Sequence, residues 1–108
     1  LSSDLHKAVL AANVGLGINL DMRYNTPDDP NRFYYRSDHY NFAKHNIPSV
    51  FFFNGVHDDY HKPGDTPDKI EYDLLTRRTK LAFNTIWILA NVENRPVVDK
   101  ESPMPSTR

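Results

Sequence analysis

The sequence contains no cysteine, which excludes a disulfide scaffold, a zinc finger and a cysteine nucleophile while leaving the compartment open. It also lacks a strong charge of either sign: 13 Lys+Arg stand against 14 Asp+Glu, a formal net charge of −1. That balance argues against binding nucleic acid through a basic surface. Apolar runs such as Val50-Phe51-Phe52-Phe53 are far shorter than the ~20 residues of a membrane-spanning helix. No basic-then-apolar leader opens the chain, and it holds no internal repeat or low-complexity tract. What remains is ordinary globular material, 108 residues that are 39% hydrophobic and 25% charged. A chain of that size can hide roughly 60–68% of the surface its unfolded form exposes. Its first residue is Leu1 rather than Met, which suggests a portion of something longer.

Ser2-Ser3-Asp4 offers N-capping oxygens, and Leu5, Ala8, Val9 and Ala12 follow at helical spacing, so a short amphipathic helix is expected before Gly15 and Gly17. From Ile18 the period becomes two: Ile18, Leu20 and Met22 alternate with Asn19, Asp21 and Arg23, as in a half-buried strand. The cluster Asn25-Thr26-Pro27-Asp28-Asp29-Pro30-Asn31 reads as a surface loop. Ser37 is placed to cap a helix carrying Tyr40, Phe42 and Ala43, closed by Asn46 before Ile47-Pro48. Residues 49–53 are apolar, β-rich and bounded by Pro48 and Gly55, which predicts a strand buried on both faces. The last element is the longest. Leu74, Leu81, Ala82, Ile86, Leu89 and Ala90 predict one apolar face of a helix from about Tyr72 to Val92, with Arg77, Arg78, Lys80 and Asn84 turned away. After Arg95-Pro96 the sequence is polar and proline-rich, an expected terminal tail. Strands alternating with helices point to a layered α/β fold.

Residues 54–69 have neither period and hold two Pro and two Gly, so they read as a loop at the carboxyl end of a buried strand, where such folds place their sites. Within it, His57-Asp58-Asp59-Tyr60-His61 sets two imidazoles four residues apart. On a helix that spacing would grip zinc, but Gly55 and Pro63-Gly64 argue for a loop, and Asp58 stands where a zincin would carry its Glu base. From the residues alone, a metal role and a loop-ordering role both remain open for these histidines.

Three strings occur together here: Ser37-Asp38-His39-Tyr40-Asn41-Phe42, then Asn46-Ile47-Pro48, then Tyr60-His61-Lys62-Pro63-Gly64-Asp65-Thr66-Pro67-Asp68-Lys69-Ile70. In that order and spacing the chain resembles the carboxyl-terminal part of the co-catalytic dinuclear zinc exopeptidases of metallopeptidase family twenty-eight. Aminopeptidases, glutamate carboxypeptidases and glutaminyl cyclases belong to that group. The resemblance runs from about Phe33 to Val92, and more loosely over residues 1–31. It implies a fragment of a three-layer α/β/α zinc-exopeptidase-like domain on a mostly parallel mixed sheet, with residues 1–95 as the closing portion of the catalytic domain and 96–108 as a tail. It further implies two zinc ions per complete domain, a peptide substrate, the remainder of the catalytic domain as partner, and a secreted or periplasmic setting.

Residue by residue, the resemblance implies that His61 is the last zinc ligand in chain order. Asp65 would either fix the His61 tautomer or cap a turn. Tyr60 would donate its hydroxyl to the developing oxyanion, the alternative being a ring packed on the sheet edge. Ser37 and Asp38 would support a ligand or face substrate, although helix capping accounts for both. His39 and His57 stay outside the expected ligand set. Asn19-Leu20-Asp21-Met22 is similar to a ligand string of the family, yet Asp21 lies only 40 positions before His61 and Arg23-Tyr24 stands where a glycine is expected. Asp21 therefore reads as the solvent-side member of a strand. The other ligands and the Glu base have no matching positions.

The expected parent is thus a zinc-dependent exopeptidase, most readily an aminopeptidase, in which metal activates water for attack on a peptide carbonyl. This stretch alone is expected to be inactive, because one imidazole is fewer than the three or four protein ligands zinc requires. A metal-free binding domain on the same fold is the alternative from another class. A glutaminyl cyclase is disfavoured by Tyr60, where Trp would be expected.

Overall fold

The computed structural model describes residues 2–23 and 36–100. Among them are helices α1 (Ser3–Ala12), α2 (His39–Ala43) and α3 (Tyr72–Asn91), and a 3₁₀ turn at Pro67–Lys69. The expected loop at 25–31 and residues 101–108 of the tail lie outside the described residues.

Helix α1 forms as its sequence dictates. The Ser2 Oγ accepts the Leu5 N–H at 3.2 Å, satisfying one of the free amides of the first turn. Leu5, Ala8, Val9 and Ala12 make up its buried face. After the helix, the Asn13 carboxamide acts as a two-way clasp: its Nδ2 donates to Ile18 O at 2.6 Å and its Oδ1 accepts from Ile18 N at 3.1 Å. Gly15 and Gly17 occupy positive φ (86° and 66°) inside that clasp, a conformation glycine adopts without steric cost.

Helix α3 packs along α1. It buries Leu81 and Thr85, and Asn84 Nδ2 donates to Ala12 O at 3.2 Å, satisfying a carbonyl at the end of α1. The apolar face expected from periodicity is only part of the pattern. Leu74, Ala82 and Leu89 are half-buried, but Ile86 is 66% exposed and Ala90 is also exposed. Tyr72, Leu75, Phe83 and Trp87 join them in solvent. At ~100° per residue these positions form a stripe opposite Leu81 and Thr85, so α3 carries two apolar faces and buries one.

The expected α/β architecture with a mostly parallel mixed sheet is overturned: the molecule is helical, and no strand occurs among the described residues. A strand exists only through a ladder with a neighbour, and the two candidate segments do not pair. Residues 18–21 keep the alternation, with Ile18 and Leu20 half-buried and Asn19 and Asp21 exposed, but Met22 is exposed too and the segment has no strand partner among the described residues. In the run expected to be buried on both faces, Val50, Phe51 and Phe52 are 38–43% exposed. Nothing among the described elements covers both sides of that run. Apolar surface is hidden instead by helix on helix.

Just beyond α3, residues 97 and 99 are hydrogen-bonded to the start of α1. Val97 N donates to Asp4 Oδ2 at 3.0 Å, and Ser3 N donates to Asp99 Oδ1 at 2.9 Å. The Ser3 amide holds the Asp99 carboxyl below the usual carboxylate range. No helix of the described residues is long and apolar enough to cross a membrane.

Candidate active-site loop

The loop before α3 is a chain of tight turns. Tyr60 N donates to His57 O (3.0 Å), Lys62 N to Asp59 O (2.9 Å) and Asp65 N to Lys62 O (3.1 Å). The 3₁₀ turn follows, and the Tyr72 hydroxyl fastens it to the start of α3 by donating to Pro67 O at 2.9 Å. The loop is therefore anchored at its downstream end to the longest helix.

Tyr60 and His61 stand together within it. Their rings stack at 4.0 Å between centroids with 15° between planes. His61 adopts φ +57°, the left-handed region, which a side chain with a Cβ rarely occupies and which often accompanies a functional constraint. His57 meets Tyr60 edge-on at 6.2 Å, accepts the Asp59 N–H at its Nδ1 (3.2 Å), and places Nε2 4.0 Å from Asp65 Oδ1. The imidazole nearest the Asp65 carboxylate is thus that of His57, a residue outside the ligand set that the sequence suggested.

Two further features were not singled out in the sequence. Lys69 Nζ donates to Asp59 Oδ2 at 3.0 Å across the base of the loop. A Cβ on Gly64 would lie 2.8 Å from Asp59 Oδ1, so only glycine fits beside that carboxylate as it stands. The signal available was the Asp68-Lys69 pair that closes the recognised string, but its partner ten residues upstream could not be chosen among Asp58, Asp59 and Asp65 from spacing alone.

Ser37 and Asp38 lie on a separate segment. Asp38 occupies the cap position of α2 and makes no side-chain capping bond; the Ser37 and Asp38 carbonyls accept from Tyr40 N (3.2 Å) and Asn41 N (3.0 Å). The expected side-chain cap at Ser37 is therefore replaced by backbone hydrogen bonds. At the other end of α2, Asn46 takes φ +61° and Ile47 N reaches back to Phe42 O at 3.1 Å, a left-handed helix stop. His39 stacks on Phe51 at 4.8 Å, and burial pushes its imidazole below the ordinary histidine pKa. Asp21 is at the surface, accepting from Arg23 N at 2.9 Å and Arg23 Nε at 2.6 Å; the Arg23 amide is the main cause of its lowered pKa.

Zinc needs several donors converging on one point. Among the described residues no group of three or more His, Asp or Glu converges in this way. The donor set around His61 offers one exposed imidazole, so these residues do not make a zinc site by themselves. The groove between α1 and the end of α3, lined by Asp4, Lys7, Ala8, Ile88 and Leu89 among others, includes no residue of the 57–69 loop.

Residues 9–86 match the family model described as Peptidase family M28. The match defines the class of protein as a hydrolase of peptide bonds, and it spans the last turn of α1, α2, the Tyr60–His61 loop and most of α3. The chain belongs to Peptidase family M28. No curated protein and no solved structure matches it.

Proposed function

We propose that this chain is the closing portion of the catalytic domain of a zinc-dependent exopeptidase that removes residues from the amino end of peptides, with residues 1–95 in that domain and 96–108 as its tail. The observation that carries the reading is the family match over residues 9–86, which includes the stacked Tyr60–His61 pair. In this reading His61 contributes one imidazole to a zinc centre whose other donors lie outside the described residues. The Tyr60 hydroxyl donates to the carbonyl oxygen as negative charge builds there, an interaction that strengthens in the transition state and so raises turnover. Asp65 acts on this pair through His57, and Ser37 and Asp38 face substrate from the start of α2. The apolar stripe of α3 and the phenylalanines of residues 51–53 pack against the remainder of the catalytic domain. This portion alone is inactive.

Metal analysis and hydrolysis of amino-acid anilides by the complete catalytic domain test the reading. About two zinc ions per chain and chelator-sensitive activity are expected. Zinc absent, with activity indifferent to chelator, rejects it. His61→Ala should lower the metal content. Tyr60→Phe should spare the metal and reduce turnover by ~10²–10³, and full turnover in that variant would remove Tyr60 from the chemistry.

A further inference from the structure

A histidine in the left-handed region is disfavoured by its own backbone, so neighbours must hold His61 at φ +57°. The turns through Tyr60, Lys62 and Asp65 set the local path, but they do not close the loop. Closure comes from Asp59, two residues before His61. One oxygen of its carboxylate accepts from Lys69 Nζ at 3.0 Å, and the other lies against Gly64, where a Cβ would approach to 2.8 Å. The carboxylate therefore bridges the near side of the loop to its far side. Lys69 ends the 3₁₀ turn that Tyr72 fastens to α3, so the bridge links Tyr60 and His61 to the longest helix of the molecule.

We propose that Asp59, Gly64 and Lys69 are positioning residues that together hold Tyr60 and His61 in the stacked, left-handed arrangement in which they are presented. The inference rests on the reading of Tyr60 and His61 as the functional pair. It gives each of the three a distinct part. Lys69 supplies the charge that fixes the carboxylate, Asp59 transmits that position to the next two residues, and Gly64 leaves room for the carboxylate to lie flat across the loop. A methyl group at Gly64 requires the Asp59 carboxylate to shift from the position in which it meets Lys69 Nζ. The pair is half-exposed, with side-chain exposures of 50% and 34%, and such pairs contribute little to global stability. Its removal should therefore alter the loop and not the fold.

Nuclear magnetic resonance on the full chain, without metal, tests this. In the unaltered protein, His61 should show the small amide-to-α-proton coupling of a positive φ and ring-proton signals displaced upfield by the Tyr60 ring. Lys69→Met, Asp59→Asn and Gly64→Ala should each return both signatures toward those of an unstructured histidine, with the Val9 and Leu81 methyl signals unmoved. Asp59→Asn combined with Lys69→Met should do no more than either alone, and Lys69→Arg should retain the signatures. Raising the salt concentration on the unaltered chain should shift the His61 signals in the same direction, because an exposed pair is screened. His61 signals indifferent to Lys69→Met and to salt, with the methyl signals intact, would overturn the proposal. The readout contains no metal, so a loss of His61 as ligand in the complete domain would leave this result standing, and the reverse also holds.

Discussion

Leu81 and Ile86 illustrate what a single side chain can and cannot disclose from sequence. Both fall on the apolar arc that periodicity assigns to α3, yet Leu81 is 3% exposed and Ile86 66%. Helical periodicity identifies apolar arcs and is blind to which arc finds a partner, and in α3 apolar residues occupy two opposite arcs. The difference has a direct energetic consequence. Leu81→Ala should cost ~2–5 kcal/mol, the transfer free energy of the lost methyls plus the cavity left between α1 and α3. Ile86→Ala should change stability by under ~0.5 kcal/mol, since little apolar surface is buried there. Urea denaturation of the two variants measures both, and similar losses would mean that Ile86 is covered. The candidate site shows the same limit at residue scale. The Tyr60-His61 string was legible as a motif, but the left-handed backbone of His61 and the Asp59–Lys69 bridge depend on how ten residues fold back on themselves, which no spacing rule encodes.

At the scale of elements, what was legible is what is local. Helix α1 was readable from its Ser2 cap and its Leu5, Ala8, Val9 and Ala12 stripe, and α3 from its length and period, because capping and amphipathicity act within a few turns. The strands were misread because a β-rich composition states only what a segment would do beside a partner, and residues 18–22 and 49–53 have none among the described elements. The return of the chain after α3 was also hidden, since the Asp99 bond to the Ser3 amide spans 96 positions. That bond makes a pH-dependent prediction. The Ser3 amide lowers the Asp99 pKa in the folded state, so its stabilising effect is present above the ordinary carboxylate pKa and is lost as pH falls through that value toward the lowered one. Asp99→Asn should therefore melt below the unaltered chain at pH 7, and the two melting temperatures should converge as the pH falls below the lowered Asp99 pKa. A gap that persisted at low pH would mean that the side chain acts through its shape rather than its charge.

For the molecule as a whole, exposed apolar side chains mark what the helical arrangement leaves uncovered. Among the described residues, Tyr72, Phe83, Ile86 and Trp87 are each more than half exposed on α3, and Phe51 and Phe52 are exposed as well. A contiguous apolar face of this kind marks an interaction surface on most soluble proteins, and the proposed covering is the remainder of the catalytic domain. Trp87 is the single tryptophan, 63% exposed, so its fluorescence reports on that face alone. In the isolated chain its emission should resemble that of tryptophan in water and be quenched strongly by acrylamide. In the complete catalytic domain, studied with any other tryptophan replaced by Phe, the emission should move to shorter wavelength and quenching should fall severalfold, because burial removes both water and quencher from the ring. Equal quenching in the two would mean that the α3 face stays open in the whole enzyme, and the exposed stripe would then need a partner other than the chain's own domain.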